Sequence, residues 1–499
     1  MSFLDKIKRN YLYILEILLF IFFFCYLIFY TNSSKFGHFK LNRLTIIIYI
    51  IGLIGIIAFS FIFSKFKKLE VEKKFLIIMP VLGILYLIAF PFNTIPDEAN
   101  HASRAYEISN GHLTSHIYKD VIGNKLDSSL YNVSSNDTYS NLANNLKYKM
   151  TNKKVKYSFA NTSLYSPISY LPQALGITIS RIFTKHILVQ LYFGRIFNFL
   201  AFLALMYFAI KLIPFKKEIL LFISVIPLVL QEAVSLAPDA FTISLVCFFV
   251  SYILYLRESK GKITFKNIAI ISVASIVLSQ LKIVYLPVCL LMFLLPLDKF
   301  KSKKNKYLTL IIIFLVTALF GLLWLKISSP YLEAQSGSDK QLDYILANVF
   351  RYLGICASTF ITFSRDWLYE MFGRSLGSFT IVIPSFLIFG NIILFILVSL
   401  VSKDKKENIK EWEKWLVTFV ILAVVALIFT SLYLQWTPYK ADLIKGIQGR
   451  YFIPLLLLIS LVLANKKIVL NGKSNSKYLE SFLIFENICA ISIIIIYFM

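Results

Sequence analysis

Apolar runs as long as a bilayer is thick limit what this chain can fold into more than any other feature. A helix needs roughly 20 apolar residues to cross the hydrocarbon. Runs of that kind lie at 11–30, 44–64, 75–93, 187–210, 219–236, 239–256, 307–327, 379–401, 415–434, 451–465 and 481–498. Two shorter runs, 267–281 and 283–297, meet at Lys282. In lipid every backbone N–H and C=O must be satisfied internally, so such runs become helices. The expected class is all-α, a polytopic integral membrane protein with about 11–13 transmembrane helices. A hydrophobic fraction of 58% and a mean hydropathy of +0.71 fit that class, because a soluble chain of this length could not hide so much apolar surface.

The net charge of +25 would suit a nucleic-acid partner if it formed a patch. It is instead divided into short clusters between the runs: Lys6/Lys8/Arg9, Lys65 to Lys74, Lys211/Lys216/Lys217, Arg257 to Lys266, Lys299 to Lys306, Lys403 to Lys414 and Lys466 to Lys477. That is the positive-inside pattern, and it argues against nucleic acid. It orients a multi-pass chain in the cell membrane with its N-terminus cytoplasmic and the loops 94–186, 328–378 and 435–450 outside. The first run follows basic residues, exceeds a cleavable signal in length and is expected to stay as an anchor. Five scattered cysteines form no disulfide or zinc pattern. The expected organisation is a two-helix anchor over 1–74, a membrane core over 75–465 with outer loops 94–186 and 328–378, and a tail with the last helix over 466–499. Within the first outer loop, 127–156 is rich in Asn, Ser and Lys and is expected to be a mobile surface segment.

The stretch IPDEANHASRAYEISNGHL, residues 95–113, is the first strongly polar one after three apolar runs. With Pro96 in the first turn of a helix, Asp97, His101 and Arg104 fall at i, i+4 and i+7 on one face, and Glu98 lies beside them. Carboxylates, an imidazole and a guanidinium at the mouth of a membrane segment can move protons or handle phosphate. The bland alternative is a capping box from Thr94 to Asp97, with acids placed to suit the helix dipole.

Other polar residues lie near the outer ends of runs: Arg195 and Asn198 in GRIFN, Asp239 in APDAF, Lys282 in SQLKIVYLP, and Gln448, Arg450 and Tyr451 in QGRYFIP. Ionisable groups at membrane depth are costly and need partners. Together with Asp97 they are expected to converge on the outer face, where cations oppose the positive-inside trend and call for an anion such as a lipid phosphate.

The PDE motif, HxxRAYEISNGHL, TSLYSPISYLPQALG, GRIFN and QGRYFIP, in this order, resemble the DUF2142 family of polytopic bacterial membrane proteins. More distantly, the order resembles GT-C glycosyltransferases, such as protein O-mannosyltransferases and the aminoarabinose transferases of lipid A. That resemblance implies a GT-C-like fold with short helices in a large outer loop. It also implies transfer of a sugar, with inversion, from a polyprenyl-phosphate donor to a glycan or lipid acceptor of the cell envelope. Asp97, with Glu98 beside it, would be the catalytic pair and Asp97 the general base. His101, Arg104, Arg195, Asn198, Asp239, Lys282, Gln448, Arg450 and Tyr451 would bind substrate, and the Arg and Lys residues would hold the leaving phosphate. Use of a divalent cation stays open, since Asp97, Glu98 and Asp239 offer oxygen ligands but Arg and Lys can equally neutralise a phosphate.

Two other classes compete. A transporter or flippase for lipid-linked glycans would also need polar spans, but no internal repeat or matched pair of broken helices is visible. A non-catalytic protein of envelope polysaccharide assembly would have no need of Asp97, His101, Arg195 and Arg450.

Overall fold

The computed structural model describes residues 69–119, 121–133, 138–336, 338–400, 409–464 and 475–498. The expected spans 11–30 and 44–64, most of the anchor unit 1–74, and the segments 401–408 and 465–474 lie outside the described residues. What is described is a helical membrane protein. Among the described residues four helices are long and apolar enough to cross a bilayer: Ile187–Leu212, Asp239–Glu258, Lys303–Glu333 and Glu411–Gln435. A further pair, Lys340–Ala347 and Val349–Met371, passes the same test as a unit but is bent by 103°. The helix Asp239–Glu258 is buried along most of its length and sits at the centre. Lys303–Ser336 shows Ile312, Leu315, Leu319 and Leu322 on its outside, as a lipid-facing helix does.

Several expected spans are broken, and proline explains where. The run 219–236 divides into Lys217–Val225 and Pro227–Ala233, with Pro227 opening the second helix. The run after Lys282 is a 3-10 helix, Ile283–Leu294, containing Pro287, and the run from Tyr451 begins as a 3-10 helix, Gly449–Leu455, containing Pro454. Proline lacks the N–H that a continuous α-helix needs and clashes with the preceding turn. Such irregular backbone is tolerated at membrane depth only inside protein or beside a polar cavity.

The loop 94–186 folds as a cap. The helix Glu98–Ser109 packs on Leu171–Ser180, beside an antiparallel sheet of β1 (His116–Ile117), β2 (Ile122–Asp127) and β3 (Lys154–Ser158). The segment 127–156, expected to be mobile, is tied down at both ends. The Asp127 carboxylate accepts the backbone N–H groups of Ser129 (3.0 Å), Thr151 (3.0 Å) and Asn152 (2.8 Å). One carboxylate thus staples the two ends together, a use that composition alone does not reveal.

The local reading of 94–98 is also corrected. The helix begins at Glu98, with Pro96 before it, and Asp97 is its N-cap in the left-handed region at φ 60° with no side-chain cap bond. Thr94 donates its hydroxyl to Pro91 O (2.7 Å), so no capping box forms. A non-glycine residue at positive φ is strained by roughly 1–3 kcal/mol. The cost is met by the neighbouring Glu98, whose buried carboxylate accepts from Asn93 N (2.8 Å) and from Arg195 Nε (2.7 Å) and Nη2 (2.6 Å).

Candidate functional site

The helix breaks and the charges coincide. Glu232 lies in the last turn of the short helix Pro227–Ala233, just before the turn into Asp239, which opens the central helix and gains from its dipole. Lys282 is the single extended residue, φ −153° and ψ 114°, between Phe265–Leu281 and the following 3-10 helix. Arg450 lies in the first turn of the 3-10 helix Gly449–Leu455. Gly449 is required there, since a Cβ would meet Trp367 O at 2.4 Å and Met371 N at 2.7 Å. Each break interrupts a hydrophobic segment and so lets a polar side chain enter the bundle.

These side chains meet. Lys282 Nζ is 2.5 Å from Asp239 Oδ1. Arg450 Nη1 is 3.3 Å from Glu232 Oε1 and 3.9 Å from Asp239 Oδ2, and its Nη2 is 3.7 Å from Asp97 Oδ2. Asp97 is the one carboxylate of this group that is open, with 45% of its side chain exposed, while Glu232 is fully buried. Lys282 lies over the rings of Tyr451 (4.9 Å) and Tyr165 (5.6 Å), and Tyr285 donates its hydroxyl to Tyr451 O (2.7 Å). Beside Arg450 is a small cleft whose lining includes Pro96, Gln231, Glu232, Glu370 and Gln448.

Of the residues expected to share a site, Asp97, Asp239, Lys282, Gln448, Arg450 and Tyr451 come together. Others are committed elsewhere. Glu98 and Arg195 neutralise one another in a fully buried pair, and Arg195 also donates to Phe90 O (2.7 Å) and Pro91 O (3.1 Å). Arg104 does not share a working face with Asp97 and His101. It pairs with Glu107, one turn on, and donates to Leu113 O (2.9 Å) and Tyr165 O (3.1 Å). Asn198 braces the break before Asp239, donating to Ser235 O (2.9 Å) and Ala237 O (3.1 Å). Because Glu98 faces Arg195, the oxygen set of Asp97, Glu98 and Asp239 does not assemble. Among the described residues no group of three or more His, Cys, Asp or Glu is arranged to hold a metal ion.

Glu232 was not among the expected site residues, although it stands in the apolar run 219–236 and the cost of a carboxylate at that depth marks it. Glu370 was not among them either; it lies on the helix Val349–Met371, within the loop 328–378, away from the ends of the apolar runs where polar residues were singled out.

His101 is buried and shares a 2.7 Å hydrogen bond with the Tyr170 hydroxyl. Burial is the main reason its pKa falls from 6.5 to about 3; Asp239 opposes the shift and Arg450 and Lys282 add to it. The folded protein therefore holds His101 neutral, while the unfolded chain takes up a proton below pH 6.5. Its contribution to stability is complete above pH 6.5 and is lost as the pH falls, by about 2 kcal/mol at pH 5. In the solubilised protein, the melting temperature should drop between pH 6.5 and 4 more steeply for wild type than for His101→Asn; equal slopes would contradict this.

The family model described as "Predicted membrane protein (DUF2142)" matches residues 80–459. The chain belongs to the DUF2142 family. Every residue of the charged cluster lies within the DUF2142 match, as does the whole of the cap. No curated protein and no solved structure matches the chain.

Proposed function

We propose that this DUF2142 protein is a membrane glycosyltransferase that moves a sugar from a polyprenyl-phosphate donor to a cell-envelope glycan or lipid acceptor on the outer face. The observation that carries the reading is the contact of an exposed carboxylate, Asp97, with a buried guanidinium, Arg450, where broken membrane helices meet. Glycosyl transfer needs a base at the acceptor hydroxyl and positive charge at the departing phosphate. At 3.7 Å the contact is too long for a strong hydrogen bond, so the Asp97 oxygens are available to an acceptor O–H.

Asp97 takes the proton as the acceptor oxygen bonds to the sugar carbon and the bond from that carbon to the phosphate oxygen breaks. Protonation removes one of the negative charges facing Arg450 just as negative charge develops on the leaving phosphate. The same guanidinium thus answers both changes, and Arg450 couples the base to the leaving group. Lys282, held by Asp239, supplies the second cation. His101, neutral and fixed by Tyr170, packs behind the cluster as a positioning residue. Glu98 and Arg195 hold the strained backbone that presents Asp97, and Arg104 braces the cap.

The reading requires the cluster to face outward in the cell membrane, with the N-terminus cytoplasmic. Cysteine introduced for exposed Lys153 in the cap should react with an impermeant maleimide in intact cells, and cysteine for exposed Lys260 only after permeabilisation. The reverse pattern would place the site on the cytoplasmic side and remove the basis for transfer at the outer face. The catalytic test is the rate of sugar transfer by Asp97→Asn, which should fall by about 10²–10⁴.

A further inference from the structure

The cleft beside Arg450 has room for about one water-sized group. Three buried polar atoms of residues in its wall have no hydrogen-bond partner among the described residues: Glu232 Oε2, Gln448 Oε1 and Arg450 Nε. Buried polar atoms in folded proteins are nearly always paired, so three orphans on residues around one opening are evidence of what the opening receives. Two of the three are acceptors and one is a donor. The wall also carries Glu370, whose Oε2 accepts Gly449 N (2.7 Å), and Gln231, whose Oε1 accepts Gly377 N (2.7 Å).

This inventory discriminates between ligand groups. The phosphodiester of a polyprenyl-phosphate donor offers only acceptors and would meet two carboxylates, Glu232 and Glu370. A hydroxyl donates one hydrogen and accepts another, and so can use one of the orphan acceptors together with Arg450 Nε.

We infer that this cleft is a subsite for one sugar hydroxyl, read by Glu232, Gln448 and Arg450, and that it selects the configuration of the sugar at one carbon. The inference rests on the glycosyl-transfer reading and adds to it the group recognised. The anionic part of the donor is thereby assigned to the other side of Arg450, toward Asp97 and Lys282.

The test uses the full chain in lipid nanodiscs. Glucose, galactose, mannose, N-acetylglucosamine and their monodeoxy analogues are titrated one at a time, with polyprenyl phosphate titrated in parallel. At least one sugar should bind, and loss of one particular hydroxyl should weaken it by about tenfold to a hundredfold, the effect of a hydrogen bond to a charged partner. Gln448→Ala, or Gln448→Leu if the smaller side chain destabilises the fold, should weaken that sugar and flatten the difference among its deoxy analogues while polyprenyl phosphate still binds. Binding of polyprenyl phosphate without any sugar, or unchanged discrimination in both Gln448 variants, would overturn the subsite and leave the glycosyl-transfer reading standing. Sugar binding that responds to Gln448, without any binding of polyprenyl phosphate, would support the subsite and count against the donor in that reading.

Discussion

Replacing Arg195 by Met is expected to lower the stability of the folded protein by about 3–5 kcal/mol, because it strands the buried Glu98 carboxylate without a counter-charge. Arg195 and Glu98 are both fully buried, and the guanidinium reaches Phe90 O and Pro91 O as well as both carboxylate oxygens. The loss therefore falls on the turn that leads from the first described helix, Val71–Ala89, into the cap and sets the left-handed backbone of Asp97. The double variant Arg195→Met/Glu98→Leu should recover much of the stability, since removing both charges avoids leaving either one buried alone. Thermal unfolding of the purified protein measures both. A single variant as stable as wild type would mean that Arg195 is not structural and would return it to the substrate side of the site.

The membrane class and the order of apolar segments were legible in the sequence because hydrophobic length is a strong and nearly context-free signal. So was the convergence of Asp97, Asp239, Lys282 and Arg450, since each is a charge at membrane depth that needs an opposite charge. What could not be read was how the remaining charges pair. Glu98 follows Asp97 directly, yet one faces the open side of the cluster and the other a buried arginine about a hundred positions later. That division is set by the left-handed turn at Asp97, which spacing along a regular helix does not anticipate. Arg104 was placed by helical periodicity with Asp97 and His101, but Glu107 at i+3 offered a nearer partner, and Ser115 (3.0 Å) and Asn124 (2.9 Å) complete that carboxylate's shell. Glu232 stood in plain view inside an apolar run that breaks at Pro227, where an unbroken helix was expected.

Asp97→Asn is expected to lower the rate of sugar transfer by about 10²–10⁴, the range for loss of a general base, while folding and membrane insertion are kept. Asparagine has the same size and tolerates the left-handed backbone as readily as aspartate. The side chain is open and makes no cap hydrogen bond, so little structural role is lost with its charge. Glu98→Gln should act differently, lowering stability through its pair with Arg195 more than it lowers the rate of the molecules that remain folded. The most direct measurement is transfer of a radiolabelled sugar from a polyprenyl-phosphate donor by purified wild type and Asp97→Asn in proteoliposomes, with both proteins matched for melting temperature. The account predicts product with wild type and a fall of about 10²–10⁴ with Asp97→Asn; equal product from the two proteins would contradict it.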